Sequence, residues 1–453
     1  MPSDSTVVSR LRRSHVAVLL GALSFLIFAA TATRGPVSMD VESAELSSWH
    51  LATTGSPWID GVELPEFLQN SPIQSMWVQD TDDGHRVVTR SPGVIAAPLA
   101  AYWLTQPDHL TLLPAAITAA LLSALTLVLM YLALCTTVSR RLALGATLAL
   151  GFTTPFWAVS ANGMWPHTLT LLGIAGLAWS AATRRWWAAG LFGAVTIWGR
   201  LHAGIIVAVV GLLVGLKRRR LDIPVRIGAV GAVGLAGLAW WTHWMYGSWN
   251  PRASYGSTDL ADSSTMFSLT NQLGMWISPG RGLLVWTPVI LVLAPAVARE
   301  WRSLPDWSRA LVTGGLAYTV LQSSLQTFTG GDGFYAYRYG LELVASCTPA
   351  FAFSYHRAGK LARALTLPVL ALQLVAILPG ALVEHLFIAQ ERSWVENDFV
   401  HLLGRSVPGA PLAAAALVIG VWLVLRSIVH RFSLPARPPR PPVRSVTLEP
   451  AER

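Results

Sequence analysis

The apolar residues of this chain come in blocks of roughly 16 to 26, the length at which a helix crosses about 30 Å of hydrocarbon. The blocks predict spans near 15–33, 111–136, 142–160, 167–183, 187–200, 201–216, 224–245, 283–298, 309–328, 341–357, 363–382 and 411–428. The expected fold is therefore all-α: a polytopic transmembrane helical bundle of about 12 spans, with extracytoplasmic loops carrying short interfacial helices. The apolar segment Ser91–Leu104 opens with Ser-Pro-Gly and is too short to span. It reads as a helix in the outer interface. The segment from Asp40 to Trp58 reads as a short amphipathic helix that ends at the Gly55-Ser56-Pro57 turn.

Composition agrees with lipid as the solvent. Of the 453 residues, 53% are hydrophobic and 13% charged, where a soluble domain carries about 25% charged residues. The net charge of +9 does not mark a nucleic-acid partner, because the basic residues punctuate apolar blocks and form no single patch. Arg140 and Arg141, Arg184 and Arg185, Lys217 to Arg220, Arg299 and Arg302, and Arg357, Lys360 and Arg363 all fall in short loops on one side. By the positive-inside rule that side is the cytoplasm of a multi-pass plasma-membrane protein. Residues 1–14 form the cytoplasmic N-terminus, 15–428 the membrane domain with a first external loop at 34–110, and 429–453 a disordered Pro/Arg-rich cytoplasmic tail. Ala30-Thr31-Ala32 resembles a signal-peptide cleavage site, but the length of the run before it favours an uncleaved first span. Cys135 and Cys347 both fall in predicted spans and imply no disulfide framework.

The opposite side carries the candidate chemistry. Ser38-Met39-Asp40-Val41-Glu42-Ser43-Ala44-Glu45 follows the first span. Its carboxylates can act as a general base, and Asp40 with Glu42 leaves open a divalent cation as cofactor. On spacing alone, Asp-x-Glu is a weak pattern, and solvation of an external loop is the favoured reading of the same residues.

With Arg90-Ser91-Pro92-Gly93 further along, this arrangement resembles the GT-C superfamily of membrane glycosyltransferases, the polyprenyl-phosphate-sugar-dependent class of bacterial and actinobacterial type. Trp165-Pro166-His167, Trp198-Gly199-Arg200-Leu201-His202, Ser278-Pro279-Gly280-Arg281-Gly282 and the run from Gly330 to Tyr339 are similar to further segments of that superfamily. The resemblance implies a polyprenyl-phosphate-linked donor of a sugar such as mannose or arabinose, and an extracytoplasmic envelope glycan, glycolipid or protein as acceptor. It implies one inverting displacement, with Asp40 as base and Glu42 as helper.

A departing phosphate needs positive charge, which guanidinium groups supply with paired donors. Arg338, at the mouth of a predicted span in Tyr335-Ala336-Tyr337-Arg338-Tyr339, is the first candidate, and Tyr337 is a candidate to stack on sugar. Arg281 and Arg252 follow. Arg200 and His202 interrupt an apolar block, where a charge must face a polar cavity or an interface. His167 is a candidate to bind donor phosphate or tune the base. For each, a loop or interfacial anchor is the alternative. No P-loop, dinucleotide fingerprint or His-Glu-x-x-His pattern occurs. A transporter or flippase, or a ligase, polymerase or acyltransferase working on lipid-linked substrates, remains the rival class.

Overall fold

In the computed structural model, the described residues are 4–35, 38–70, 74–255, 268–383 and 386–404, with 415, 418–423 and 426 beyond them. They build helices almost throughout. In chain order these are α1 (Asp4–Ala30), α2 (Met39–Thr54), α3 (Pro92–Ala96), α4 (Leu99–Thr105), α5 (Leu113–Leu134), α6 (Arg140–Phe152), α7 (Pro166–Ala182), α8 (Trp186–Gly199), α9 (Gly204–Arg218), α10 (Asp222–Tyr246), α11 (Leu269–Ile277), α12 (Val289–Glu300), α13 (Asp306–Leu325), α14 (Leu341–Tyr355), α15 (Lys360–Leu382) and α16 (Asp398–Leu403). Among the described residues the sheet is a single antiparallel hairpin, β1 (Val78–Asp80) and β2 (Arg86–Val88), with Val78 opposite Val88.

Four helical stretches are long and apolar enough to cross a membrane by length and composition: Leu113–Leu134, Leu201–Arg218, Asp222–Tyr246 and Lys360–Leu382. Other expected spans are helices of shorter length, such as α6 with 13 residues and α8 with 14. Large apolar side chains point outward along these helices, among them Val18, Leu19, Leu26, Leu212, Val233 and Leu367. In water such a surface would be costly, whereas in lipid it is solvated.

Lipid gives little drive to bring apolar helices together, so close approach depends on small residues. Helix α7 packs against α5 and α8, α8 against α10, α9 against α13, and α13 against α14. At the α7–α8 crossing, a Cβ on Gly173 would lie 2.1 Å from Thr196 Oγ1 and 2.8 Å from the Phe192 carbonyl oxygen. Only hydrogen fits there.

Helices α8 and α9 form a hairpin. Arg218, at the end of α9, stacks on Trp186 at the start of α8, with its guanidinium carbon 5.2 Å from the ring centre. Arg218 also pairs with Asp306 at the start of α13, and Arg357 pairs with Glu300 at the end of α12. The basic loops thus share one end of the bundle, and the hairpin tip at 200–203 reaches toward the other.

Several expectations are corrected in detail. The expected first span near 15–33 is part of a longer helix, α1, that begins at Asp4, since the Ser-Arg-Leu-Arg-Arg stretch has ordinary helix propensity. Helix α2 is not amphipathic: every position from 41 to 48 is buried, because the β-hairpin, α3 and α4 close around it. The expected interfacial helix at 91–104 is two short helices interrupted at Pro98. The first is buried against α8, where a Cβ on Gly93 would meet the Trp198 carbonyl oxygen at 2.6 Å. The expected span at 411–428 falls largely outside the described residues, and the tail at 429–453 lies wholly outside them.

Gly173→Ala is expected to push α7 and α8 apart and destabilise the bundle by about 1–3 kcal/mol. A lowered unfolding midpoint of the purified protein in detergent checks this, and an unchanged midpoint would remove the close-packing argument.

Candidate active site

Asp40 stands in the first turn of α2, and three donors converge on it. The β-hairpin supplies two of them. Pairing of Val78 with Val88, continued by the Thr89 N–H donating to the Trp77 carbonyl at 2.9 Å, brings Trp77 and Arg90 side by side. Trp77 Nε1 donates to Asp40 Oδ1 at 2.9 Å and an Arg90 terminal nitrogen donates to the same oxygen at 2.7 Å. The hairpin is fixed in turn by Tyr246 of α10, whose hydroxyl donates to the Val88 carbonyl at 2.8 Å.

The third donor is Arg338, which reaches Asp40 Oδ2 at 2.5 Å. Its guanidinium lies 5.0 Å from the Trp165 ring centre, 5.1 Å from Phe334 and 5.0 Å from Tyr339. The loop that presents Arg338 has an unusual backbone. Gly330, Gly331 and Gly333 take positive φ, which costs glycine little, and Ala336 does so too at φ 64. Ala336 is held there from both sides: its N–H donates to Asp398 Oδ2 at 2.6 Å and its carbonyl accepts from Arg281 at 2.9 Å.

Arg281 is therefore committed elsewhere than expected. It is buried in an ion pair with Asp398 at 2.7 Å and also donates to the Ile388 carbonyl at 3.1 Å. It supports the loop behind Arg338. Tyr337 likewise turns into the core, its hydroxyl 2.6 Å from Thr287 Oγ1. Arg252 is exposed in the turn Pro251–Tyr255. That turn reaches the site through Tyr255, whose hydroxyl accepts from the Leu201 N–H at 3.0 Å and lies 3.3 Å from Ser91 Oγ.

Arg200 and His202, at the hairpin tip, do face polar groups. Arg200 donates to the Tyr318 hydroxyl at 3.0 Å and to Gln322 Oε1 at 2.9 Å. His202 lies 2.6 Å from the same Gln322 oxygen and stacks on Tyr318. The Arg200 guanidinium carbon is 5.0 Å from the Tyr339 ring centre, so it is at most 10 Å from that of Arg338, the sum of the two distances. His167, at the start of α7, is fully buried with its ring 6.2 Å from Tyr339. Its Nδ1 is 2.8 Å from Glu342 Oε1, which also accepts from Thr170.

Glu42 does not join Asp40. Two positions along a helix is a rotation of about 200°, so the two carboxylates leave α2 on different sides. Glu42 faces a separate groove with Arg34, Trp49, Glu63 and His109. Both Asp40 oxygens already face guanidinium groups, which a cation would have to displace. No group of three or more His, Cys, Asp or Glu suited to a metal occurs among the described residues.

These surroundings push the carboxyls apart. Burial works to raise the Asp40 carboxyl, but Arg90 and Arg338 outweigh it and hold it well below the usual carboxylate range. Burial pushes the Glu42 carboxyl up to about 7. Residues that sequence reasoning left unassigned are Arg90, Trp77, Glu342, Tyr318 and Gln322. Glu342 carried a readable signal, an acid inside an apolar span.

Two outcomes follow for this region. Arg281→Met or Asp398→Asn leaves a buried partner uncompensated, so each should cost about 3–5 kcal/mol of stability. The double variant should cost less than the sum of the two in denaturant unfolding. For Glu42, the folded carboxyl titrates near 7 and the unfolded one near 4.5. The folded state holds its proton across that window, so stability falls as pH rises through it. Glu42→Gln should raise the unfolding midpoint at about pH 8 and leave it near that of the unaltered protein below about pH 4.

No family model matches the chain, and no curated protein matches it. Among solved structures it is similar to the crystal structure of ArnT from Cupriavidus metallidurans bound to undecaprenyl phosphate, at 15% identity and a TM-score of 0.47, over 92% of this chain and 78% of that one.

Proposed function

We propose that this chain is a membrane glycosyltransferase that moves a sugar from a polyprenyl-phosphate donor to an envelope glycan, lipid or protein acceptor on the extracytoplasmic face, with inversion. The observation that carries the reading is Asp40 held between two largely buried guanidinium groups, Arg90 and Arg338, at the bundle end opposite the basic loops. Arginine pairs suit phosphate oxygens because each guanidinium offers paired donors in a plane. Asp40 at rest occupies the place that a donor phosphate would take.

Exchange of one anion for the other gives the order of events. The incoming lipid phosphate takes the two guanidinium groups, and Asp40 is left without the partners that hold its proton affinity down. It then becomes basic enough to take the proton of an acceptor hydroxyl. The acceptor oxygen bonds to the anomeric carbon as the bond from that carbon to the phosphate oxygen breaks. The phosphate leaves with the electron pair, neutralised by Arg90 and Arg338, with Arg200 nearby.

Asp40→Asn separates the two roles of the carboxylate. The variant should lose transfer by about 10²–10⁴-fold, yet bind polyprenyl phosphate more tightly than the unaltered protein, because the competing internal anion is gone. Arg338→Leu should weaken that binding. Transfer assays with polyprenyl-phosphate sugars, diphosphate-linked oligosaccharides and acyl donors, run beside lipid-phosphate titrations, check both. Full transfer by a folded Asp40→Asn protein, or exclusive use of a diphosphate or acyl donor, would sink the proposal.

A further inference from the structure

The groove that Glu42 faces is separate from the transfer site and holds about 630 Å³. Two helices that pack along each other, α1 and α5, fix its place. Arg34 stands just beyond the end of α1, and Leu110 and Leu112 stand just before the start of α5. Helix α5 is long and apolar enough to cross a membrane. The groove thus opens at the mouth of a span, where hydrocarbon gives way to headgroups.

Carboxyl groups dominate its polar wall. Glu63 and Asp108 are exposed in it, whereas Glu42 is only 5% exposed. Glu42 Oε2 is enclosed and has no hydrogen-bond partner among the described residues. Its other oxygen, Oε1, is not enclosed, and it is the one that a group held in the groove can reach. A carboxylate taken this far from water is costly unless a donor or a cation meets it. Nothing on α2 supplies one, since the neighbouring acid, Glu45, is buried beside it.

These groups select among ligands. An anion would meet three carboxyls. A metal ion needs clustered ligands, and no three His, Cys, Asp or Glu come together for one among the described residues. A quaternary ammonium carries charge but has no N–H to give to Oε1. A primary ammonium has three N–H donors for acceptors on different sides. Arg34 adds the opposite charge at the same groove. A guanidinium carries five N–H donors, so it can take a phosphate oxygen beside any other partner. Ammonium and phosphate joined in one molecule make a zwitterionic lipid headgroup. Below the groove α5 exposes Leu113, Leu121 and Leu125, which fall within about 120° of its circumference. They form an apolar track along which acyl chains can lie.

We propose that this groove binds a phospholipid whose headgroup bears a primary ammonium, with Glu42 as the main partner of the ammonium and Arg34 as that of the phosphate. Glu63 and Asp108 add negative charge around the ammonium. The site is distinct from Arg90 and Arg338 and does not rest on the transferase reading.

The test compares two lipids that share net charge and acyl chains and differ in N–H donors. The purified full chain is mixed with dioleoyl phosphatidylethanolamine or dioleoyl phosphatidylcholine, and retained lipid is counted by native mass spectrometry. The solution is held at about pH 8, where Glu42, titrating near 7, is mostly ionised. The unaltered protein should hold the ethanolamine lipid about tenfold more tightly. Glu42→Gln should remove most of that preference and leave choline-lipid binding unchanged. Arg34→Gln should weaken both lipids alike, because both carry the phosphate. Glu63→Gln, at an exposed position, should lower the preference less and reports independently if Glu42→Gln fails to fold, which its unfolding midpoint shows. Equal retention of the two lipids by the unaltered protein overturns the proposal. So does a preference that neither glutamine variant lowers. Binding of free ethanolamine without any lipid preference also overturns it, by leaving a pocket for soluble amines only. Polyprenyl-phosphate binding at Arg338 is read separately, so this inference and the transferase reading can fail independently.

Discussion

Two guanidinium groups taken largely out of water need a counter-charge, and the Asp40 carboxylate supplies it to both. That requirement joins three distant parts of the chain, since Arg90 lies 50 residues and Arg338 298 residues from Asp40. Each part brings its own scaffold: a hairpin pinned to α10, a short buried helix, and a glycine-rich loop. Apolar packing seats all three: Leu46 of α2 and Val88 of the hairpin share one buried cluster, and Phe334, Tyr335 and Tyr337 of the loop lie in the main core. Polar contacts then fix their orientation, among which the buried Arg281–Asp398 pair supports the loop from behind. The charges on α2 therefore organise the fold at this end of the bundle as well as its chemistry.

The remainder of the bundle leaves this end room to form. Basic loops collect at the opposite end, where Arg218 and Arg357 pair with acids on neighbouring helices. Small residues such as Gly173 let α7 and α8 approach closely, and α7 carries His167 to its buried partner Glu342. Helix packing and site geometry are linked through these helices, so a shift at the crossing would also move His167 and Trp165.

The helical layout was legible because apolar blocks such as those of α5, α7 and α10 are about as long as the helices they become, and basic residues mark the turns at one end. Asp40, Arg338, Arg200, His167 and His202 were also legible, as polar residues interrupting or closing apolar blocks. The rest depended on side-chain direction and distant partners. Arg281 looked like a free loop arginine because Asp398 stands 117 residues away. Tyr337 alternates with residues that face the site, and the backbone at Ala336 turns it into the core. Helix α2 looked amphipathic because its acids suggested a wet face. Burial of Glu42 and Glu45 instead removes that face, which no count of acidic residues could reveal.

The α8–α9 hairpin has a geometric consequence for the surrounding lipid. From the basic end, the fourteen residues of α8 at 1.5 Å each reach about 21 Å, against a hydrocarbon thickness of about 30 Å. Any tilt shortens the reach further. With Trp186 at the hydrocarbon boundary of the basic end, Arg200 and its partners Tyr318 and Gln322 would lie below the level of the far headgroups. For the proposed donor, the lipid phosphate would have to descend to meet them, or the bilayer would thin around the protein. Membrane thickness thereby becomes one of the dimensions of the site.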